Sequence, residues 1–120
     1  MITIKDITGA SIEVTDLDAA IKQCRRCKDS PYKMPSGHTV GEDHAFMLEQ
    51  LIAIKQQQRR ERWLPSTKKR YEEGKRFTKL DMGYEIGCHE AYHPASIYWD
   101  SYTREQMLRY FNAFFGTDIK

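Results

Sequence analysis

EDHAFMLEQLIAIKQQQRRERW, Glu42 to Trp63, is the longest stretch with helical character, and the reading of the rest depends on it. Its first half is apolar: Ala45, Phe46, Met47, Leu48, Leu51, Ile52 and Ile54. Leu48, Leu51 and Ile52 follow the i, i+3, i+4 spacing of a buried helical stripe. From Lys55 to Arg62 the sequence is polar on every side, so any turn there gains little from packing. A helix that is polar all round bridges through solvent or meets a charged partner. Thr39 with Glu42 fits a capping box that starts this helix near Val40.

Towards the N-terminus, Met1 to Thr15 reads as a β-hairpin. Ile2 and Ile4 alternate with Thr3 and Lys5, Ile12 and Val14 alternate with Ser11 and Glu13, and Thr8-Gly9-Ala10 forms the turn. Two strands alone are marginal in water, so the hairpin requires a third strand or a helix against it. Thr15 to Asp18 fits a second capping box. It opens a helix with Leu17, Ala20, Ile21, Cys24 and Cys27 on one face, ending near Asp29 because Pro31 disfavours helical geometry at Ser30. SPYKMPSGHTVG then reads as a loop.

Towards the C-terminus, Leu64-Pro65 interrupts the polar helix, and Ser66 is expected to cap a short basic helix from Thr67 to Arg76, weakened by Gly74. Tyr84, Ile86 and Cys88 alternate with Glu85 and Gly87, and Ile97-Tyr98-Trp99 has strand composition, which predicts a second hairpin. The competing reading runs a helix through His89 to His93. Thr103 with Gln106 caps a last helix, with Met107, Leu108, Phe111, Phe114 and Phe115 as its apolar stripe and Gly116 at C′.

The expected fold class is α+β over a single globular domain, 1–120. A small antiparallel sheet, the N-terminal hairpin joined by the second, is packed by three to four helices including one long helix. The core is expected at Ile4, Ile12, Val14, Leu17, Ile21, Leu48, Leu51, Ile52, Ile86, Trp99, Leu108, Phe111 and Phe115. Hydrophobic residues at 40% and charged residues at 30% of 120 describe an ordinary globular composition. No apolar run approaches the roughly 20 residues that span a bilayer. MITIKDITGA lacks the layout of a signal peptide, and three cysteines do not make a disulfide framework; a cytoplasmic location and no membrane partner are expected.

The net charge of +2 conceals a dipolar chain. Between Lys55 and Lys79, ten basic residues face three acidic ones, a local charge of +7 that leaves −5 elsewhere. Arg59, Arg60, Arg62, Lys68, Lys69, Arg70, Lys75 and Arg76 are the candidate partner-binding residues, interleaved with Trp63, Tyr71 and Phe77. Basic groups neutralise phosphates and aromatic faces stack on bases, so nucleic acid is one candidate partner and an acidic protein surface another. The plainer reading is a solvated face with those aromatics turned to the core. The polar half of the long helix also leaves room for self-association.

Two constellations carry metal chemistry. Cys24 and Cys27 form a CxxC pair, but Cys24 falls in the third turn of its helix on the stripe of Leu17 and Ile21, where a thiol packs as a small hydrophobe. His89-Glu90-Ala91-Tyr92-His93 fits H-E-x-x-H, whose histidines, on a helix, share one face and reach one zinc ion while the glutamate polarises the bound water. These five residues resemble the zinc metallopeptidases called zincins. The resemblance implies a zinc-dependent hydrolase with His89 and His93 as ligands and Glu90 as general base. Against it, Pro94 pushes His93 out of helical geometry. The segment is then a surface turn with Tyr92 packed inward and Glu90 solvated. The first expectation is therefore a non-enzymatic interaction module without a cofactor, and the zinc enzyme is its alternative.

Overall fold

The computed structural model describes residues 2–120 and holds two compact units, Met1–Lys55 and Gln56–Lys120. Strands β1 (Ile2–Lys5) and β2 (Ser11–Val14) open the first unit, followed by α1 (Leu17–Cys27) and α2 (Val40–Glu61), which ends in the second unit. That unit continues with α3 (Pro65–Glu72), α4 (Lys79–His89), α5 (Pro94–Ile97) and α6 (Arg104–Phe115). The class is α+β; the described residues form one antiparallel two-stranded sheet and six helices rather than three to four.

In the first unit the hairpin pairs Ile2 with Val14 and Ile4 with Ile12, as the alternation requires. Its turn depends on Asp6, which the alternation does not single out. One carboxylate oxygen accepts from the Thr8 and Ala10 amides at 2.9 and 3.0 Å, and Gly9 takes φ +91°. The support the hairpin needs is α2. Gln50 uses its amide as a strand would, accepting from the Lys5 amide at 3.0 Å and donating to the Lys5 carbonyl at 2.7 Å. Asp43 accepts from the Ile7 amide at 2.9 Å. The buried residues here are Ile4, Val14, Ile21, Cys24, Met47 and Leu51, with Ile12, Leu17 and Leu48 partly buried against them. Each large aliphatic buried in such a cluster contributes about 1.5–3 kcal/mol. α1 starts one residue later than expected: Asp16, not Thr15, is the N-cap and accepts from the Ala19 amide, and the helix stops at Cys27. The box of Thr39 and Glu42 forms in both directions, at 3.1 and 3.0 Å.

The second hairpin does not exist. Tyr84–Cys88 lies inside α4 and Ile97 ends α5. A capping box starts α4, with Thr78 as N-cap and Asp81 as the reciprocal acid. It fixes helical geometry just ahead of the segment whose alternation suggested a strand. Met82 and Ile86, one turn apart, then reach the core, while Tyr84 and Cys88 on the other side are exposed. Gly83 and Gly87, also one turn apart, admit α5 and the residues after it: a Cβ on Gly83 would stand 2.9 Å from Trp99 Cβ and 3.0 Å from the Ala95 carbonyl. The core here is Phe77, Met82, Ile86, Ala95, Met107, Phe111, Phe114 and Phe115, with Trp63, Trp99 and Leu108 partly buried against it. The buried residues thus form two clusters rather than one, and Ile52 is only partly buried.

α3 is shorter than expected and shifted towards the N-terminus. Pro65 sits at its first position, where the missing N–H costs nothing, Leu64 is the N-cap in place of Ser66, and Gly74 at φ +67° follows its end. α6 matches its expectation, with the box of Thr103 and Gln106 at one end and left-handed Gly116 at the other. Among the described residues no helix is long and apolar enough to cross a membrane.

Candidate functional site

The polar turns that end α2 have a structural task within the second unit. Gln56, Arg59 and Arg60, spaced i, i+3, i+4, meet the C-terminus of α6. Gln56 donates to the Ala113 carbonyl at 2.7 Å, Arg59 to the Phe114 carbonyl at 3.1 Å, and Arg60 to the carbonyls of Phe115 and Gly116. The last carbonyls of a helix have no partner within it and carry its negative dipole end, so cationic donors suit them. The Arg59 guanidinium also lies 3.6 Å over the Phe114 ring. A stretch that is polar all round therefore packs here through hydrogen bonds instead of apolar area.

The candidate cations divide accordingly. Arg59 and Arg60 hold the end of α6. Arg70 donates to the Arg76 carbonyl at 3.2 Å and lies 3.8 Å from the Asp81 carboxylate. Lys75 pairs with Glu73 at 2.9 Å on the surface. Arg62, Lys68, Lys69 and Arg76 are exposed. The interleaved aromatics mostly face inward: Phe77 is buried, and Trp63 meets Phe111 and Phe115 at ring-centre distances of 6.1 and 5.4 Å. Tyr71 alone of the three is largely outside, at 42% exposure. It forms one wall of a surface groove of about 570 Å³ that Phe77, Lys75, Arg76, Arg104 and Lys120 also line.

The H-E-x-x-H segment is not a zincin helix: Ala91 and Tyr92 form the expected exposed turn, but the two histidines sit on the helix ends that flank it. α4 stops at His89, Glu90 is an exposed C-cap, and His93 caps α5 by accepting the Ala95 N–H at Nδ1, 3.0 Å away. The two histidines thus stand on different elements. Tyr92, expected inside, is 88% exposed. His89, expected at the surface, packs edge-on against Phe114 and Phe115 with 9% of its side chain accessible. Its neighbour is Glu85, which the sequence reading passed over. The Glu85 side chain is 1% accessible; Oε1 accepts from the Leu64 amide at 2.8 Å, and Oε2 lies 3.6 Å from His89 Nε2. Burial pushes the pKa of His89 below its ordinary value, the Glu85 carboxylate opposes that shift, and Arg59 and Arg62 add to it. Burial lowers His93 in the same way, against Glu90 and with Arg59. The signal that could have found the pair is the i, i+4 spacing of Glu85 and His89 behind the Thr78–Asp81 box.

No family model matches this chain, and neither does any curated protein or solved structure.

The remaining candidates are quickly placed. Among the described residues no group of three or more His, Cys, Asp or Glu side chains is arranged to hold a metal ion. Cys24 is a buried member of the first unit's core and Cys27 is half-buried; Cys88 is exposed on α4. Burial, then Cys27 and Asp43, raise the Cys24 thiol's pKa, so it is not an activated nucleophile. His38 lies 3.8 Å from Glu42, and His44 donates from Nδ1 to the Val40 carbonyl at 2.7 Å.

Proposed function

We propose that this chain is a small non-enzymatic interaction module that docks on the phosphate backbone of nucleic acid through Arg62, Lys68, Lys69, Lys75 and Arg76. The observation that carries the reading is the division of the basic stretch. Arg59, Arg60 and Arg70 are tied to backbone carbonyls, whereas Arg62, Lys68, Lys69 and Arg76 reach solvent and Lys75 is held only by an exposed pair. Such a surface pair is worth little and yields readily to a phosphate. With Trp63 and Phe77 turned inward and Tyr71 alone of the three largely exposed, contact is chiefly with phosphates and indifferent to sequence.

Fluorescence anisotropy with random single-stranded and duplex oligonucleotides, titrated in salt, tests the reading. Each neutralised phosphate contributes about 0.7 to 0.9 to the magnitude of the slope of log affinity against log salt, so five contacts give a slope of roughly −3.5 to −4.5. Binding that is absent at low salt, or unmoved by salt, would sink the proposal. Equal binding to a poly-glutamate peptide would transfer it to an acidic protein partner. The competing reading, a zinc-dependent hydrolase on His89, Glu90 and His93, has its own check. Stoichiometric zinc in untagged protein, lost in His89→Ala, would overturn the module.

A further inference from the structure

The groove beside α3 is chemically one-sided. Lys75, Arg76, Arg104 and Lys120 line it with Tyr71 and Phe77, and no Asp or Glu is among the described residues that do so. Glu73, which holds Lys75, stands outside it. Arg104 is fixed by a bond from Nη1 to the Phe77 carbonyl, and its Nη2 is shielded from water without a hydrogen-bond partner. Burial, and then the nearby Arg76 guanidinium, push the pKa of Arg104 down. A concave wall of one sign concentrates its field at a point, whereas the exposed face of α3 spreads its charge.

The difference selects between phosphates. A diester in a strand carries one negative charge, and a terminal monoester carries about −1.5 to −2 at neutral pH. We infer that this groove is a site for the terminal phosphate of a single-stranded nucleic acid, with Lys75, Arg76 and Arg104 around the phosphate and Tyr71 beside the terminal base. The inference rests on the proposed docking to phosphate backbone and adds to it a preference for strand ends. Tyr71, exposed on the wall, offers the aromatic face on which any base stacks.

The test compares one fluorescent oligothymidine with a 5′-phosphate, a 3′-phosphate or hydroxyls at both ends, by anisotropy at moderate salt. Either phosphorylated form is expected to bind about tenfold tighter than the hydroxyl form, the size of one or two charge-assisted hydrogen bonds. Arg76→Gln should erase that preference without unfolding the protein, because Arg70 bonds the backbone carbonyl of Arg76, which the substitution leaves in place. Lys22→Gln, on α1 and exposed, should leave it intact. Equal affinity for all three oligonucleotides overturns the groove proposal alone, and backbone docking stands. Loss of all binding overturns backbone docking and this inference with it. Retention of the preference in Arg76→Gln rules out the groove as its source. Displacement by free thymidine monophosphate at its own concentration equivalence would assign the groove to a nucleotide instead of a strand end.

Discussion

Glu85 and His89 stand one helical turn apart on α4, with Oε2 and Nε2 separated by 3.6 Å and both side chains almost wholly withdrawn from solvent. Neither atom has a hydrogen-bond partner among the described residues. The pair is therefore close enough to interact electrostatically but is not held by a formed hydrogen bond.

One consequence is a pH dependence with a definite sign. Unfolded, His89 and His93 titrate near their ordinary 6.5; folded, both titrate lower, chiefly because they are buried. As pH falls through 6.5 the unfolded chain gains protons that the folded chain refuses, so stability is full above this pH and declines below it. The melting temperature should fall as pH is lowered from 7 into this range. Asp6 and Glu42, held below their ordinary 3.8 and 4.5 by hydrogen bonds, act only at lower pH. Replacing both histidines, His89→Gln with His93→Asn, should flatten the decline. A melting temperature constant between pH 7 and pH 5.5 in the unmodified protein would refute the account.

The two glutamates of this region should behave in opposite ways. Glu85→Ala deprives the Leu64 amide of its acceptor and empties a fully buried site, at a cost of about 2–4 kcal/mol in urea unfolding. Glu85→Gln keeps an acceptor at that amide and should lose less than half as much. Glu90→Gln changes an exposed side chain and should stay within about 0.5 kcal/mol of the parent. If Glu90→Gln cost more than Glu85→Gln, the assignment of the buried role would be wrong.

Gly83 and Gly87 differ in what a methyl group would strike. At Gly83 it meets Trp99 Cβ and the Ala95 backbone, neither of which can step aside, so Gly83→Ala should destabilise by about 1–3 kcal/mol. At Gly87 the nearest atom is the Ser96 hydroxyl, the movable end of a side chain. Rotation of that hydroxyl and the better helix propensity of alanine should leave Gly87→Ala within about 1 kcal/mol of neutral. Thermal melts of the two variants distinguish the sites, and equal losses would count against this packing of α5 on α4.

Cations within one basic stretch should separate by function. Arg60→Met removes donors from the carbonyls that end α6 and should cost about 1 kcal/mol of stability. Lys68→Gln with Lys69→Gln should leave stability within about 0.5 kcal/mol and lower the salt slope of nucleic-acid binding by roughly 2. Parallel urea and anisotropy titrations check both. A loss of stability from the lysine pair alone would show that α3 uses its charges internally.

How much was legible follows from the range of each interaction. The N-terminal hairpin, the box of Thr39 and Glu42, the break at Pro65, the box of Thr103 and Gln106 and the stop at Gly116 are all settled within a few residues. They could be read from neighbours in the chain. Pro94 likewise ended any helix through His93 before tertiary contacts were considered. The capping box of Thr78 and Asp81 was equally local, and giving weight instead to the alternation from Tyr84 to Cys88 produced the one false hairpin.

Sequence alone therefore determined part of the punctuation, the capping boxes and breaks set by near neighbours, and most of the apolar residues that need burial. Tertiary structure decided what the polar residues do. Gln56, Arg59 and Arg60 look like a solvated face until the carbonyls of Ala113 to Gly116 come within reach, more than fifty positions away. Glu85 looks like a surface acid until the Leu64 amide, 21 residues earlier, finds it in the interior. The physical reason is that an apolar side chain seeks burial against almost any neighbour, whereas a polar one needs a particular partner at hydrogen-bond distance. Only the folded chain supplies that partner.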